Sequence, residues 1–235
     1  MRRDEFVKKC LAIGVSLPFA SFLWSCKKTE VIAPNFNVNF KGKVVVIGAG
    51  SAGLTAGYLL ERHGVEFQVL EASAQFGGRM KRLDNFVDFP IDLGAEWIHA
   101  SPTILAQILS DPEANATVNF VNYTPQTIYT YNNGKLKKQN WANNFYGEYK
   151  FKDSTWFGFF EKYIAPKVIP HLSLDSPVTQ IDYSGDKVLI TTGNETIEAD
   201  KVLITVPIKT LQDQLINFSP NLPSSYTNTF NNISM

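Results

Sequence analysis

The most specific spacing in this chain belongs to three glycines in the string Gly48-Ala49-Gly50-Ser51-Ala52-Gly53. Glycines so placed suit a phosphate cradle. Gly48 permits a tight turn, Gly50 lets the backbone approach a pyrophosphate, and Gly53 lets a helix pack close to a strand. The pyrophosphate would meet the N-terminus of that helix, whose free N–H groups and positive dipole end favour an anion. Ala49, Ser51 and Ala52 complete the loop. Glu71 lies 18 residues beyond Gly53, where a carboxylate can accept from both hydroxyls of an adenosine ribose and repel a 2′-phosphate. Gln75-Phe76-Gly77-Gly78-Arg79 adds a second glycine turn and a cation suited to a ligand carrying two phosphate charges. On residue chemistry alone FAD and NAD both fit, NADP is disfavoured, and a Gly-Gly turn before a solvated arginine is also an ordinary surface feature.

These residues need elements to hold them. Lys43–Ile47 (KVVVI) reads as a buried strand of a parallel sheet. Leu54, Ala56, Leu59 and Leu60 then recur at helical spacing until His63-Gly64, and Phe67–Leu70 (FQVL) is a second strand closing on Glu71. Residues 43–71 therefore spell one βαβ unit. From Ser101 to about Leu172 the chain turns rich in Asn, Tyr, Phe, Trp and Pro, with helical pattern at Thr103–Leu109 and Trp156–Tyr163. Strand-like runs at Thr127–Tyr131 and Lys135–Lys138 flank Asn133-Gly134, a hairpin signal. Val178–Tyr183, Lys187–Thr192 and Glu195–Ala199 read as an antiparallel layer, and Lys201–Val206 as another buried strand stopped by Pro207. The stretch beyond, rich in Asn, Pro and Ser, shows no closing element.

The expected fold is α/β, a Rossmann-like FAD/NAD(P)-binding parallel sheet with helices on one face and a small antiparallel β layer. An α+β subdomain on the substrate side is inserted into it. The boundaries are an export signal at 1–26, a linker at 27–42, a cofactor-binding domain at 43–100 and 172–212, and a partial substrate domain at 101–171 and 213–235. Aromatic residues of the insert, Trp141, Phe145, Tyr146, Tyr149, Trp156 and Phe157, either line a substrate cavity or form plain core.

Composition narrows the classes. With 44% hydrophobic and 19% charged residues among 235, a sizeable core is available and disorder is excluded. Twenty-two basic residues against 22 acidic ones leave no excess to neutralise phosphates, so no nucleic-acid partner is expected. Only Cys10 and Cys26 are present, both near the N-terminus, and His63, His99 and His171 are scattered; no metal site is expected. Arg2, Arg3, Lys8 and Lys9 precede an apolar run from Leu11 to Trp24, too short to span a bilayer comfortably. This is the layout of a bacterial export signal, with paired arginines that resemble the twin-arginine kind at a spacing one residue off, or of an uncleaved N-terminal anchor. Leu23-Trp24-Ser25-Cys26 resembles a lipobox, which would anchor the protein to a membrane through a lipidated Cys26. The expected location is periplasmic or lipid-anchored.

As a pattern, VVVIGAGSAGLTAGYLLERHGVEFQVLEAS followed by FGGRM resembles the opening of the flavin-containing amine oxidases of monoamine and polyamine oxidase type. Asp92-Leu93-Gly94-Ala95-Glu96-Trp97-Ile98-His99 is similar to that family's next block, and the stretch from Pro177 to Pro207 to a third. The resemblance implies FAD as cofactor, with Gly48, Gly50, Ser51, Gly53, Glu71, Gly78 and Arg79 on its ADP half. It places the main chain of Gly94, Ala95, Glu96 and Trp97 along the isoalloxazine and that of Val178 at the adenine. His99 matches an active-site histidine of polyamine oxidases, although a structural hydrogen bond explains a partly buried histidine equally well. The implied reaction is hydride transfer from the α-carbon of an amine to flavin N5, with dioxygen as acceptor giving hydrogen peroxide. Gln75 departs from the arginine usual in the family. The resemblance spans residues 43–235 but about the first half of a family member, so the chain is expected to be an N-terminal portion. The alternatives are a catalytically inactive FAD-binding fragment or an NAD-dependent dehydrogenase.

Overall fold

The computed structural model describes residues 38–99, 105, 109, 119–123, 127–139, 148–193 and 195–234. The export-signal reading, most of the linker, and Trp141, Phe145 and Tyr146 lie outside them.

The βαβ unit forms as its periodicity dictates, with β1 at Val44–Ile47, α1 at Ser51–Arg62 and β2 at Phe67–Leu70. The first described strands of the following segment are two short ones, β3 at Arg82–Leu83 and β4 at Ile91–Asp92, paired antiparallel. In the insert, β5 (Phe120–Tyr123) pairs antiparallel with β8 (Glu148–Phe151). The hairpin of β6 (Ile128–Asn132) and β7 (Lys135–Gln139) turns at Asn133-Gly134, both with positive φ, as its dipeptide requires. Then come α2 (Trp156–Tyr163), α3 (Ala165–Val168), a 3₁₀ turn and β9 (Leu172–Ser173). The remainder is β10 (Val178–Asp182), β11 (Val188–Thr192), β12 (Glu195–Ala199), β13 (Lys201–Ile204), α4 (Ile208–Gln212), β14 (Asn217–Ser219) and α5 (Ser224–Asn231).

One sheet has strand order β13-β1-β2-β9, every pair parallel. Side chains of β1 alternate between its faces. Val46 joins Leu54 and Tyr58 of α1 with Phe159, Phe160 and Val168, while Val45 and Ile47 join Val178, Ile181, Ile190 and Ala199 of a second sheet. That second sheet has order β12-β11-β10-β14. The apolar run of β1 thus has two buried faces, which is why it lacks the alternation of a half-exposed strand. Gly57 of α1 permits α3 to approach, since a Cβ there would come within 3.1 Å of Val168.

The C-terminal stretch, in which the sequence showed no closing element, carries a strand and a helix. β14 extends the second sheet beside β10 in parallel, and α5 follows without burying a residue. The Gln212 side-chain amide of α4 donates to the carbonyls of Phe230 and Ile233 (2.7 and 2.9 Å), a polar tie that hydrophobic periodicity does not reveal. No described helix is long and apolar enough to cross a membrane.

Phe159 is 1% exposed and packs against the rings of Phe151, Trp156, Phe160 and Tyr163. Phe159→Ala is expected to lower stability by about 3–5 kcal/mol. Tyr131→Ala, at a side chain 74% exposed, should change it by less than about 0.5 kcal/mol. Urea unfolding of the two variants checks the contrast.

Candidate functional site

The carboxyl ends of β13, β1 and β2 lie side by side, and the site is built there. Gly48 leaves β1 with φ +100°, its N–H donating to Leu70 O (2.8 Å). On the other flank the Thr205 hydroxyl, just past β13, lies 2.8 Å from Ile47 O and 3.1 Å from Gly48 O. A Cβ on Gly53 would come within 1.8 Å of Gly48 O, so only glycine permits this approach of helix to turn. Leu54 N–H makes the first hydrogen bond of α1, to Gly50 O (2.9 Å), and Gly50 offers no side-chain cap. The N–H groups of Ser51, Ala52 and Gly53 are therefore the open donors of the helix start, with Ser51 and Ala52 exposed. A Cβ on Gly50 would meet nothing within 4 Å. The glycine is not required by protein packing; it leaves open space above the helix end, as a pyrophosphate needs.

Glu71 sits at the end of β2 and reaches back to that loop. Its Oε2 accepts from Ala49 N–H (2.7 Å), and its Oε1 from the Ser73 N–H (3.0 Å) and hydroxyl (2.6 Å). Burial pushes the carboxyl pKa up, but the Ser73 hydroxyl and the Ala49, Ser73 and Ala72 amides outweigh it, and the net direction is down. Glu71 is thus held as an anion, and with Oε1 accepting two hydrogen bonds and Oε2 one, Oε2 keeps a further lone pair for a ribose hydroxyl. The Gly77-Gly78 turn closes on the same loop: Gly77 N–H donates to Ala49 O (2.8 Å), and a Cβ on Gly78 would lie 3.2 Å from Gly50 Cα. Both glycines have positive φ. Arg79 is exposed, and its carbonyl faces Gly94, where a Cβ would come within 2.0 Å of Arg79 O. Val178 enters at the start of β10, two residues after Ser176, whose N–H donates to Glu71 O (2.8 Å).

The segment from Asp92 to His99 runs on from that contact. Ile98 bridges Tyr149 of β8. Lys150 of β8 pairs with Glu96 and places its Nζ 4.0 Å from the Trp97 ring centroid. Asp92 Oδ1 accepts from Trp156 N–H (3.0 Å), and Trp97 O from the Trp156 indole N–H (3.2 Å). His99 has a side chain 69% exposed, and its Nδ1 lies 2.8 Å from Glu148 Oε2. That distance is not accompanied by hydrogen-bond geometry; Glu148 Oε2 is buried without a hydrogen-bond partner among the described residues.

The glycine loop, Glu71, the Gly77-Gly78 turn, Gly94 and Val178 are thus brought together, whereas His99 lies farther along, against β8. Residue spacing did not point to Ser73, Glu148, Lys150 or Thr205, and it placed Trp156 only among the aromatics of the insert and Asp92 only in the block that ends at His99. Only Thr205 carried a usable signal, because it follows a parallel strand and ligands bind beyond the carboxyl ends of such strands; that strand, β13, was expected to be buried but is the edge of its sheet, with Lys201 and Leu203 exposed. Tyr149, Trp156 and Phe157 pack against the main core, and no group of described residues could hold a metal ion.

The family model described as "Flavin containing amine oxidoreductase" matches residues 51–161 and 162–235. Human lysine-specific histone demethylase 2 is 44% identical over 63 residues, 26% of this chain and 8% of that protein. Polyamine oxidase 2 of Arabidopsis thaliana is 41% identical over 56 residues, 24% of this chain and 11% of that protein. Among solved structures, cyclohexylamine oxidase from Brevibacterium oxydans IH-35A superposes with a TM-score of 0.63 at 14% identity, over 82% of this chain and 63% of that one. A putrescine oxidase triple mutant gives 0.61 at 13% identity, over 83% and 64%. The two structures share the fold, and the chain spans less than two thirds of either.

The two loop glycines should separate by variant. Gly53→Ala forces a Cβ onto the Gly48 carbonyl and should cost about 3 kcal/mol. Gly50→Ala should cost at most about 1 kcal/mol, the difference between glycine and alanine at an N-cap, while obstructing the anion. Thermal melts with and without dinucleotide check both.

Burial pushes the Asp92 carboxyl up to about 6; the charge of Glu96 adds to this, while Trp156 N–H and Lys150 oppose it. Raised above its unfolded value, this group makes stability fall as pH rises from about 4 to about 6. Asp92→Asn should flatten that part of the profile, read as melting temperature against pH.

Proposed function

The chain belongs to the flavin containing amine oxidoreductase family, its cofactor is FAD, and we propose that it serves the oxidation of a small amine with dioxygen as acceptor. The observation that carries this reading is the open helix N-terminus beside an ionised Glu71, with Gly94 packed on Arg79, one continuous track for a long dinucleotide. In it, the N–H groups of Ser51, Ala52 and Gly53 hold the pyrophosphate and Glu71 holds the ribose. Gly78 keeps the second turn close, and the main chain from Gly94 to Trp97 runs along the ring. When bound, the flavin supplies two-electron chemistry, accepting a hydride from the carbon next to the amine nitrogen and passing the electrons to dioxygen. His99, exposed and with its Nδ1 2.8 Å from Glu148 Oε2, is our candidate to hold or move an amine proton. Histone demethylase, polyamine oxidase and cyclohexylamine oxidase in the names of the similar proteins support a C–N bond as the target.

A second reading is FAD binding without turnover, with a further polypeptide needed to complete the amine cavity. The span favours it, since the chain covers 63% and 64% of the two solved structures. We further propose that residues 1–26 direct export, with Cys26 as a site of lipid attachment; pulse labelling with a fatty acid, lost in Cys26→Ser, tests that step.

The deciding experiment loads the 235-residue chain with FAD, removes the excess, records the visible spectrum and then assays peroxide release with primary and secondary amines. Retained flavin with amine-dependent peroxide is the expected result, and retained flavin without peroxide selects the second reading. No retained flavin from a folded chain overturns both. If peroxide is released, His99→Asn should lower kcat/KM by about 100-fold or more and leave flavin content unchanged.

A further inference from the structure

The first two residues of α2 touch both halves of the cofactor site. Trp156 holds the segment 92–97 at both ends, its main-chain N–H on Asp92 Oδ1 and its indole N–H on Trp97 O. Phe157 faces the other way. Its ring stacks on Phe76 with centroids 5.4 Å apart and planes inclined by 11°, and a Cβ on Gly77 would come within 2.9 Å of it. Gly77 in turn is hydrogen-bonded to Ala49 of the glycine loop. Two adjacent side chains on one rigid helix therefore contact the turn beside the phosphate cradle and the segment beyond it.

The helix itself is fixed. Thr155, fully buried, caps it by accepting from Gly158 N–H (2.9 Å), and Phe159 and Phe160 seat it in the main core. Arg82 of β3 lies over the Phe157 ring at 5.3 Å and pairs with Glu161 one turn on. Neither of the Trp156 hydrogen bonds is made to a residue of its own helix.

We propose that Trp156 and Phe157 are positioning residues for the cofactor, setting the spacing between the Gly77-Gly78 turn and the segment 92–97. The insert then acts as a gauge of dinucleotide length, apart from any contact with an amine. The inference rests on the FAD reading above. It assigns the two residues different tasks: Trp156 governs only the segment beyond the ADP half, and Phe157 governs the turn beside it.

The test uses the full chain and two ligands, FAD and ADP, with Trp156→Phe, which keeps a ring and removes the indole donor, and Phe157→Leu. Circular dichroism and melting temperature establish that each variant is folded. In flavin-free Trp156→Phe, amides of residues 92–98 should exchange roughly 3- to 10-fold faster, the equivalent of one hydrogen bond. FAD affinity should fall by a similar factor while ADP affinity stays within about 2-fold. Phe157→Leu should weaken both ligands. Should Trp156→Phe not fold, Asp92→Ala removes one acceptor, keeps the Thr155 cap and the buried Phe159 and Phe160 that seat α2, and should show the same selective loss. Equal loss of FAD and ADP affinity in Trp156→Phe, or unchanged exchange at 92–98, overturns the proposal. A folded wild-type chain that binds neither ligand overturns the cofactor reading instead, and the exchange measurement then still decides whether Trp156 holds the segment.

Discussion

The contact between the Gly48 carbonyl and Gly53 Cα is the constraint on which the rest of the site depends. It brings α1 against the end of β1 so closely that no side chain fits between them. A left-handed Gly48 is needed to reach it. From that approach follows the direction of the helix, and so the point at which its open N–H groups emerge. Ala49, in the loop that this approach closes, donates its N–H to Glu71 Oε2 just past the neighbouring strand. The anion site and the ribose site are therefore one geometric object held by two backbone atoms.

The charges fit this object. Glu71 is partly buried, yet its pKa is lowered, because hydrogen bonds from the Ser73 hydroxyl and three amides stabilise the ionised form. Asp92 has the opposite balance: burial outweighs its single backbone donor and Lys150, the like charge of Glu96 adds to it, and its carboxyl rises to about 6. Two carboxylates about twenty residues apart in sequence are thereby set to different protonation behaviour by whether their donors outweigh burial. Glu71 remains an acceptor over the whole physiological range, whereas Asp92 holds α2 through a bond to Trp156 N–H that either of its protonation states can accept.

What was legible in the sequence is what is local. The βαβ unit, the Asn133-Gly134 hairpin, α2 and the β10–β12 layer all carry period, turn chemistry or glycine spacing within about thirty residues. The convergence of Gly48, Gly53 and Glu71 followed from that unit. β9 did not, because two residues, Leu172 and Ser173, become a strand only by pairing with β2, about one hundred residues earlier. β14 joins β10, 37 residues earlier, across an intervening hairpin and helix, and α5, with the sequence SSYTNTFN, buries no residue that would announce it. The roles of Ser73, Lys150 and Trp156 were hidden for the same reason. Each is an ordinary residue type whose task is given by what the fold brings opposite to it.

The aromatic insert shows why core and site cannot be assigned separately here. Phe151, Trp156 and Phe159 form one edge-packed group, and the same Trp156 carries the two polar bonds to the segment 92–97. Phe157 joins that segment's neighbour, the Gly77 turn, to the same helix. A ligand lying along both would bind only the folded arrangement of the insert, and by mass action would stabilise it in return. Folding of the insert and retention of the cofactor are then two measures of one equilibrium. The density of aromatic side chains between residues 149 and 163 is explained by that double duty: broad, stiff rings bury area in the core while a single indole N–H or ring face reaches outward to hold a loop.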